Sequence, residues 1–271
     1  MPDIPQYAVM GNPVSHSLSP RIHQLFASQC GISLEYRAIQ VDEGQFRSAV
    51  DQFRQAAGRG LNITVPFKLE AWQLAEQRSA RAEIAGAVNT LKFEDDGTIY
   101  GDNTDGVGML RDITVNLGKP VKAAKVLMIG AGGAVRGVLG PLLEAAPAQV
   151  HIANRTAGKA SELAELFVEY GCCTASGLDG AGSAYDIVIN GTAASLHGQV
   201  PDIAADVFAD NALAYDMMYS DRPTPFLVWA AENGAAEISD GLGMLVEQAA
   251  ESFYLWHGTR PETKPVIKAL R

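Results

Sequence analysis

The chain has 271 residues, of which 47% are hydrophobic and 19% are charged, and its net charge is −10 at pH 7. This composition is typical of a water-soluble globular protein and excludes a membrane span, which needs roughly 18 or more consecutive apolar residues. The negative charge argues against a nucleic-acid partner, because binding to phosphate backbones needs a clustered basic face. At about 150 residues per domain, the length predicts two domains.

Three cysteines, Cys30, Cys172 and Cys173, cannot form an even set of disulfides, and adjacent cysteines lack the spacing of metal ligands. We expect plain apolar side chains and no metal site. The first residues carry no basic flank or long apolar core, so no signal peptide is visible and the expected location is cytoplasmic. The expected partner is a small molecule, and the expected assembly is a monomer or a homodimer.

The first half alternates short β-branched or apolar runs with longer segments of helical period, the pattern of α/β units around a mostly parallel sheet. The predicted strands are residues 7–10, 34–41, 61–65 and 87–93. The predicted helices are residues 20–30, 43–57, 66–78 and 105–117. A turn signal between Phe93 and Ile99 predicts a β-hairpin.

The second half begins with a buried strand at 125–129 and continues with strands near 149–153, 186–190, 212–216 and 236–238, with helices between them. An amphipathic helix to about 257 and a short helix at 261–270 follow, and we expect them to cover the first domain. The predicted fold class is α/β, with an N-terminal α/β domain and a Rossmann-like nucleotide-binding domain. The predicted domains are residues 1–104 plus 242–271, and residues 105–241.

A glycine-rich turn, Gly130-Ala131-Gly132-Gly133-Ala134, directly follows the strand at 125–129 and opens a helix at 135–144. The absent side chains would let a pyrophosphate approach the free N–H groups of the helix N-terminus. The alternative is a tight strand-to-helix turn without a ligand.

About twenty residues after the first glycine, the next strand ends in Asn154-Arg155-Thr156, where an NAD-specific protein would present an acid to the ribose diol. The guanidinium fork of Arg155 matches the oxygens of a 2′-phosphate, and its neighbours add neutral donors. Lys159, on the first turn of the next helix, adds a second charge. The pattern favours NADP over NAD, against the alternative of a solvated surface arginine.

The segment from Ser15 to Pro20 lies between the first strand and the first helix, with Ser19 fitting the N-cap and Pro20 the first helical position. Hydroxyl groups beside a helix N-terminus can bind an anion, although serines that only cap a helix fit the same pattern. His16 is more typical of a loop or packing residue than of a catalyst.

Lys68 follows the strand at 61–65 and lies one turn into the helix predicted from Pro66, so its ammonium can reach the carboxyl edge of the sheet. A lysine near a helix N-terminus opposes the macrodipole, which favours a functional role, general acid/base chemistry at a carbonyl. Asp105 fits a helix N-cap and Asn89 a turn, so each alone is a weak signal. A carboxylate beside Lys68 would favour its charged form and burial would disfavour it, which can poise the amine for proton transfer.

Seven blocks of the chain occur in the order found in the shikimate dehydrogenases, and the chain resembles that family over nearly its whole length. The matching blocks are Gly11-Asn12-Pro13 with Ser15 to Pro20, Asn62-Ile63-Thr64-Val65-Pro66-Phe67-Lys68, Gly86-Ala87-Val88-Asn89-Thr90, Gly101-Asp102-Asn103-Thr104-Asp105-Gly106, Gly130 to Ala134, Asn154-Arg155-Thr156, and Asp240-Gly241-Leu242-Gly243-Met244-Leu245 with Gln248.

The resemblance implies an oxidoreductase that reversibly reduces 3-dehydroshikimate to shikimate with NADPH, a step of aromatic amino-acid biosynthesis. Residues 1–104 and 242–271 would bind the substrate, and residues 105–241 the NADP. Lys68 would carry the proton and, with Asp105, form the catalytic pair. The other implied substrate contacts are Ser17, Ser19 and Tyr219 for the carboxylate, Asn89 and Asp105 for the ring hydroxyls, and Thr64 and Gln248 around the pocket. The implied cofactor contacts are Met217 and Gly241 near the nicotinamide, and Gly130, Ala131, Gly132, Gly133, Ala134, Asn154, Arg155, Thr156 and Lys159 for the rest of NADP.

Two alternatives compete with this interpretation. A quinate/shikimate dehydrogenase with relaxed cofactor use shares the lysine and the aspartate, but tends to carry an acid near the Asn-Arg position, where this chain has Thr156. A non-catalytic NADP-sensing module would keep the fold without the chemistry, and the joint presence of Lys68, Asn89 and Asp105 argues against it.

Overall fold

A computed structural model describes residues 4–271. The chain divides into two compact units, the first ending at Gly108 and resuming at Val246, the second spanning Met109–Leu245. Each unit contains a six-stranded sheet. The division predicted at residues 104 and 241 stays a prediction. Within residues 4–271, no helix has the length and apolar character needed to cross a membrane.

The sheet of the first unit is mixed. Its strands are β1 (Gln6–Gly11), β2 (Glu35–Gln40), β3 (Gly58–Ile63), β4 (Gln77–Arg78), β5 (Thr90–Phe93) and β6 (Ile99–Asp102), in the order β2-β1-β3-β5-β6-β4. Strand β1 pairs in parallel with β2 and β3, whereas β5 runs antiparallel to β3 and to β6. The predicted hairpin between Phe93 and Ile99 is confirmed.

The core of the first unit lies between this sheet and its helices, α1 (Ser19–Cys30), α2 (Phe46–Gln55), α3 (Lys68–Leu74) and α4 (Ala80–Ala85). Residues 7–10 of β1 are all buried, because a central strand is covered on both faces and therefore reads as a continuous apolar run. Phe46 of α2 stacks on Phe67 just before α3, with ring centroids 5.1 Å apart. Both rings are buried, so they anchor the start of α3 to the core.

The C-terminal segment, α9 (Leu242–His257) from residue 246 onward and α10 (Thr263–Leu270), belongs to the first unit. Trp256 stacks on Tyr7 at 4.6 Å and donates its indole N–H to the carbonyl oxygen of Leu91 at 3.0 Å. Arg21 of α1 donates to the carbonyl oxygen of Ala269 at 2.9 Å. The expected return of the last helices to the first domain is therefore confirmed.

The sheet of the second unit is entirely parallel. Its strands are β7 (Lys125–Ile129), β8 (Gln149–Ala153), β9 (Cys173–Ser176), β10 (Tyr185–Asn190), β11 (Phe208–Asp216) and β12 (Glu237–Ser239), in the order β12-β11-β10-β7-β8-β9. Its helices include α6 (Gly133–Glu144), α7 (Ala157–Leu166) and α8 (Pro225–Glu232). This is the Rossmann strand order, with the switch in winding direction between β7 and β10, where such folds bind nucleotides. The predicted Rossmann-like fold is confirmed.

The helix predicted at 66–78 is wrong in extent. Helix α3 begins at Lys68, which is therefore its first residue and does not lie one turn into it, and the helix ends at Leu74. Glu76 then donates its backbone N–H to the carbonyl oxygen of Ile99 at 2.9 Å, and β4 and α4 follow. Pairing with a strand distant in sequence overrides the local helical preference there.

Two other helix ends also differ from expectation. Helix α1 begins at Ser19 with Leu18 at the N-cap, and the hydroxyl of Ser17 accepts a hydrogen bond from the N–H of Ser19 at 3.3 Å. Ser19 is thus not the N-cap. The helix predicted at 105–117 consists of α5 (Asp105–Arg111) followed by a π-helical turn at Asp112–Asn116.

His23 of α1 is an unusual core residue. Its ring is fully buried and stacks on Tyr36, with centroids 4.2 Å apart and planes within 6°. Within residues 4–271, neither ring nitrogen has a hydrogen-bond partner. Burial, to which the nearby His257 adds and which the neighbouring Asn62 side chain opposes, lowers the pKa of His23 to about 3. The folded protein therefore holds this imidazole neutral.

Acid should destabilise the fold through His23. Below its ordinary pKa of 6.5 the unfolded chain binds a proton that the folded chain excludes down to about pH 3. The free energy of unfolding should therefore fall by up to about 1.4 kcal/mol per pH unit in this range. Urea unfolding at pH 7, 6 and 5 should show a shallower fall for His23→Phe than for the wild type. The control His16→Phe, in an exposed loop, should follow the wild type, and equal slopes for all three proteins would contradict the assignment.

Candidate active site

The direction of β5 brings three segments of the first unit to one edge of its sheet. Because β5 is antiparallel to its neighbours, its first residue, Thr90, pairs with Asn62 near the end of β3 and with Asp102 at the end of β6. Residues that follow β3, precede β5 and follow β6 therefore meet. These are the segments that carry Lys68, Asn89 and Asp105.

Lys68 and Asp105 form an ion pair. The Nζ atom of Lys68 lies 2.5 Å from Oδ2 of Asp105, and the side chains are 29% and 12% exposed. The amide nitrogen of Asn89 donates to the other carboxylate oxygen, Oδ1, at 2.8 Å. The side chain of Asn103 accepts the N–H of Asp105 at 3.1 Å, so the Asp105 carboxylate is not the cap of α5. The carboxylate is held on both oxygens and faces the lysine.

Thr104 and Gln248 complete the surroundings of Asn89. The backbone N–H of Thr104 donates to Oδ1 of Asn89 at 2.9 Å, and the amide of Asn89 donates to the Thr104 hydroxyl at 2.9 Å. The side-chain oxygen of Gln248, from α9, lies 3.4 Å from both the Asn89 amide nitrogen and the Thr104 hydroxyl. The structure thus brings Gln248 to the cluster of Lys68, Asn89 and Asp105.

Two of the predicted carboxylate-binding residues, Ser17 and Ser19, lie after β1, and the predicted pocket residue Thr64 follows β3. A Cβ atom at Gly11 would stand 2.3 Å from Cγ2 of Thr64, so only glycine leaves room for this threonine. The N–H of Asn12 donates to the carbonyl oxygen of Val65 at 2.9 Å, which joins the two loops. Ser17 and Ser19, at the start of α1, follow the first of these loops, and Ser19 is buried.

The second aspartate of the same motif, Asp102, has a structural partner instead. Its carboxylate accepts hydrogen bonds from Arg81 and from the hydroxyl of Ser79. Burial acts to lower the pKa of Arg81, but the hydrogen bonds and charges of Asp102 and Glu251 outweigh it and raise the pKa above its usual value. Asp102 is thereby occupied, and only Asp105 of the pair is directed at the lysine.

The glycine-rich turn of the second unit connects β7 to α6. Gly130 has φ +110°, which other residues rarely adopt, and its N–H donates to the carbonyl oxygen of Ala153 at 2.8 Å. Gly132 is the N-cap of α6, and a Cβ atom there or at Gly133 would meet no heavy atom within 4 Å. The space over the helix N-terminus is therefore open, as a bound pyrophosphate requires.

A cavity of about 550 Å³ lies at the carboxyl edge of this sheet. Arg155 and Asn154, which follow β8, line it, whereas Thr156 and Lys159 are not among its lining residues. Lys159 is on the first turn of α7, as predicted. The remaining wall consists of Ile129, Leu178, Thr192, Ala193, Ala194, His197, Gln199, Val200, Pro201 and Asp202.

His197 and Gln199 were missed in the sequence. They follow β10, the strand next to β7 on the other side from β8. The loop after that strand borders the nucleotide crevice in any Rossmann sheet. This general rule could have identified the loop as part of the site. No recognised sequence motif includes His197 or Gln199.

Met217 and Gly241 are neighbours at the end of β11. A Cβ atom at Gly241 would stand 2.2 Å from the carbonyl oxygen of Met217. Only glycine at position 241 therefore allows the two segments to lie this close together. Met217 also donates its N–H to the carbonyl oxygen of Asn190 at 2.9 Å. Tyr219 follows two residues later, belongs to this second unit and is 37% exposed.

Asp216, which precedes Met217, ties these loops together. It is fully buried, and its carboxylate accepts hydrogen bonds from the hydroxyls of Ser195 at 2.7 Å and Thr224 at 2.6 Å, and from the N–H of Met218 at 3.0 Å. Three donors compensate for the lost hydration of the charge. The loops after β10 and β11 are therefore fixed by one carboxylate.

Asp216→Ala should lower the free energy of unfolding by about 3 kcal/mol, because it leaves buried donors without an acceptor. Asp186→Ala is the matched control, since Asp186 is exposed and accepts only the N–H of Lys125 among the hydrogen bonds described here. Its loss should stay below about 1 kcal/mol. Urea unfolding of both variants measures the difference, and equal losses would show that Asp216 does not hold the loops.

A Rossmann sheet with an open glycine turn, and a separate unit with a lysine–aspartate pair, define a two-domain α/β dehydrogenase. Three family descriptions match the chain: "Shikimate dehydrogenase substrate binding domain" at residues 9–91, "Shikimate / quinate 5-dehydrogenase" at 113–200, and "Shikimate 5'-dehydrogenase C-terminal domain" at 241–271.

Individual relatives agree with these descriptions. The shikimate dehydrogenase (NADP(+)) of Hahella chejuensis is 54% identical over 265 residues, 98% of each chain. The crystal structure of an Ael1 enzyme from Pseudomonas putida is similar with a TM-score of 0.93 and 49% identity over 98% of each chain. The shikimate 5-dehydrogenase of Thermus thermophilus, in complex with NADP(H) and shikimate, has a TM-score of 0.85 and 31% identity over 98% of each chain. The chain belongs to the shikimate dehydrogenase family.

Proposed function

We propose that this protein reversibly reduces 3-dehydroshikimate to shikimate with NADPH, a step of aromatic amino-acid biosynthesis. The observation that carries the proposal is the ion pair between Lys68 and Asp105, held by Asn89 in a chain of this family. Residues 1–104 with 242–271 bind the substrate, and residues 105–241 bind NADP.

Lys68 is the general acid/base. Reduction of a ketone builds negative charge on its oxygen, and the Lys68 ammonium both stabilises that charge and donates a proton from Nζ. In the reverse direction the Nζ amine accepts the proton of the hydroxyl group. Asp105 holds Nζ in place and, with Asn89, binds ring hydroxyls. One hydrogen bond to Asp105 leaves Nζ with donors for the substrate oxygen.

The substrate carboxylate is held without a dedicated cation. Ser17 and Ser19, beside the N-terminus of α1, supply hydroxyl donors, and the helix N-terminus favours negative charge. Thr64, after β3, completes the pocket. Gln248 binds next to Asn89. The contribution of Tyr219 to this set stays a prediction.

The second unit holds NADP through neutral groups and one guanidinium. Gly130, Ala131, Gly132, Gly133 and Ala134 take the pyrophosphate at the start of α6, and Arg155 with Asn154 and Thr156 takes the 2′-phosphate. Lys159 adds positive charge nearby, and Met217 and Gly241 border the nicotinamide. The nicotinamide supplies the hydride when NADPH is bound.

We place the protein in the cytoplasm as a monomer or homodimer. Its three cysteines are free thiols, which fits a reducing compartment.

Nicotinamide absorbance in four mixtures tests the proposal, with shikimate or quinate paired with NADP or NAD. Turnover of shikimate with NADP alone is the expected result. Turnover of quinate, or with NAD, would favour a quinate/shikimate dehydrogenase with relaxed specificity. If the protein binds NADP but shows no turnover in any of the four mixtures, the result would favour the non-catalytic sensing module.

Lys68→Met keeps the length of the side chain and removes the proton and the charge. Turnover should fall by about 10²- to 10⁴-fold, because the oxygen loses its acid/base group. The dissociation constant of NADP, measured by fluorescence, should not change. Lys92→Met is the control. Lys92, on β5, pairs with Glu94, which follows that strand, and this variant should retain full activity. Comparable activity of the two variants would remove Lys68 from the mechanism.

Arg155→Gln should weaken NADP binding by about 10- to 100-fold, because a charged donor to the phosphate is lost. Binding of NAD, which lacks that phosphate, should hardly change. Lys122→Gln removes the same charge at an exposed site near the amino end of β7, the opposite edge of the sheet, and should bind both cofactors as the wild type does. Calorimetric titration gives the dissociation constants of both cofactors. An equal loss of affinity for NADP and NAD would exclude the phosphate contact.

A further inference from the structure

A line of hydrogen bonds runs through the first unit and ends at Asp105. It starts at Tyr36 on β2, passes through Asn62 on β3 and Thr90 on β5, and reaches Asn89. The phenol hydroxyl of Tyr36 donates to Oδ1 of Asn62 at 2.8 Å. The amide of Asn62 donates to the hydroxyl of Thr90 at 3.1 Å, and that hydroxyl donates to Oδ1 of Asn89 at 2.9 Å. Asn89 donates in turn to Asp105.

All bonds of this line point the same way. Because Oδ1 of Asn62 is taken by the Tyr36 hydroxyl, the amide NH₂ must face Thr90 and the Ser252 hydroxyl, which lies 2.9 Å from it. The Thr90 hydroxyl accepts from Asn62 and donates its own proton to Asn89, and the Ser252 hydroxyl lies 2.7 Å from it as a second neighbour. Asn89 then presents its NH₂, and not its oxygen, to the carboxylate. Hydrogen bonds arranged head to tail in this manner strengthen one another.

Removal of the first donor allows a second arrangement. Without the Tyr36 hydroxyl, the Asn62 amide can turn by 180°. It then gives up the 3.3 Å hydrogen bond from its NH₂ to the backbone carbonyl oxygen of Asn89 and directs its oxygen at the hydroxyls of Thr90 and Ser252. The Thr90 proton would then go to Asn62, and Asn89 would lose one of the three donors to its Oδ1, keeping the N–H and the hydroxyl of Thr104. The amide that orients Asp105 would be held less firmly.

We propose that Tyr36 is a positioning residue for the Lys68–Asp105 pair, acting through Asn62, Thr90 and Asn89. The inference rests on the proposed function, since it concerns the rate of the same proton transfer. Tyr36 also stacks on His23, and a phenylalanine keeps that stacking. Tyr36→Phe therefore isolates the hydroxyl.

A second route from Tyr36 to the substrate can be separated from the first. Burial raises the pKa of Tyr36 well above its usual value, and the Ser19 hydroxyl beside the phenol opposes this rise. Ser19 is proposed to bind the substrate carboxylate, so an effect through Ser19 would appear in KM for the substrate. An effect through Asn89 and Asp105 would appear in kcat, because it alters the group that meets the developing charge.

The experiment is a double-variant cycle with steady-state kinetics. Tyr36→Phe should lower kcat by about 3- to 10-fold, with little change in either KM, the size expected for one lost hydrogen bond. In an Asn89→Ala background the same substitution should change kcat by less than about 2-fold, because the line is already broken. Tyr7→Phe, a buried tyrosine stacked on Trp256, is the matched control and should have wild-type kinetics.

Three results would overturn the inference: an unchanged kcat for Tyr36→Phe, a loss confined to KM, or the same loss of kcat with and without Asn89. Unfolding midpoints of all variants show whether a loss reflects weakened folding. An inactive wild type would count against the proposed function, and with it the inference. If the wild type is active and the Tyr36→Phe variant is equally active, the inference on Tyr36 is wrong and the proposed function still stands.

Discussion

The ion pair between the ammonium of Lys68 and the carboxylate of Asp105, both mostly buried, is the constraint on which the site in the first unit depends. Taking Lys68 and Asp105 out of water costs hydration, and their attraction offsets this cost only if their other hydrogen-bonding atoms also find partners. Asn89 satisfies the second oxygen of Asp105, and Thr104 holds Asn89. The partly exposed Lys68 keeps further donors for a substrate. The surrounding amides and hydroxyls thus hold a charge pair in one orientation while one side stays open to chemistry.

The two sheets bring site residues that are distant in sequence together in different ways. In the first unit the reversed direction of β5 puts its beginning beside the ends of β3 and β6, so residues 68, 89 and 105 meet although they are far apart in sequence. In the second unit every strand runs the same way, and the loops after β7, β8, β10 and β11 collect at one edge. The glycine turn, Arg155, the cavity wall after β10 and Met217 are all placed by that rule.

Much of this arrangement was predictable, for identifiable reasons. The apolar run at 125–129 and the glycines after it carry a strong local signal, and the predicted β7 and the start of α6 agree with the structure to within two residues. The short β4 and α4 were missed, because the N–H of Glu76 bonds to Ile99, a residue 23 positions away, and no local pattern records that pairing. The line from Tyr36 to Asn89 was equally hidden. Its members lie on three strands, and only Asn89 belonged to the predicted site.

The most direct test of the central role of Lys68 is a crystal structure of the protein with NADP and shikimate bound. Nζ of Lys68 should lie within about 2.6–3.2 Å of the hydroxyl oxygen on the carbon nearest the nicotinamide, while it still contacts Asp105. A structure in which that hydroxyl is bound by another side chain, with Lys68 directed elsewhere, would contradict this role.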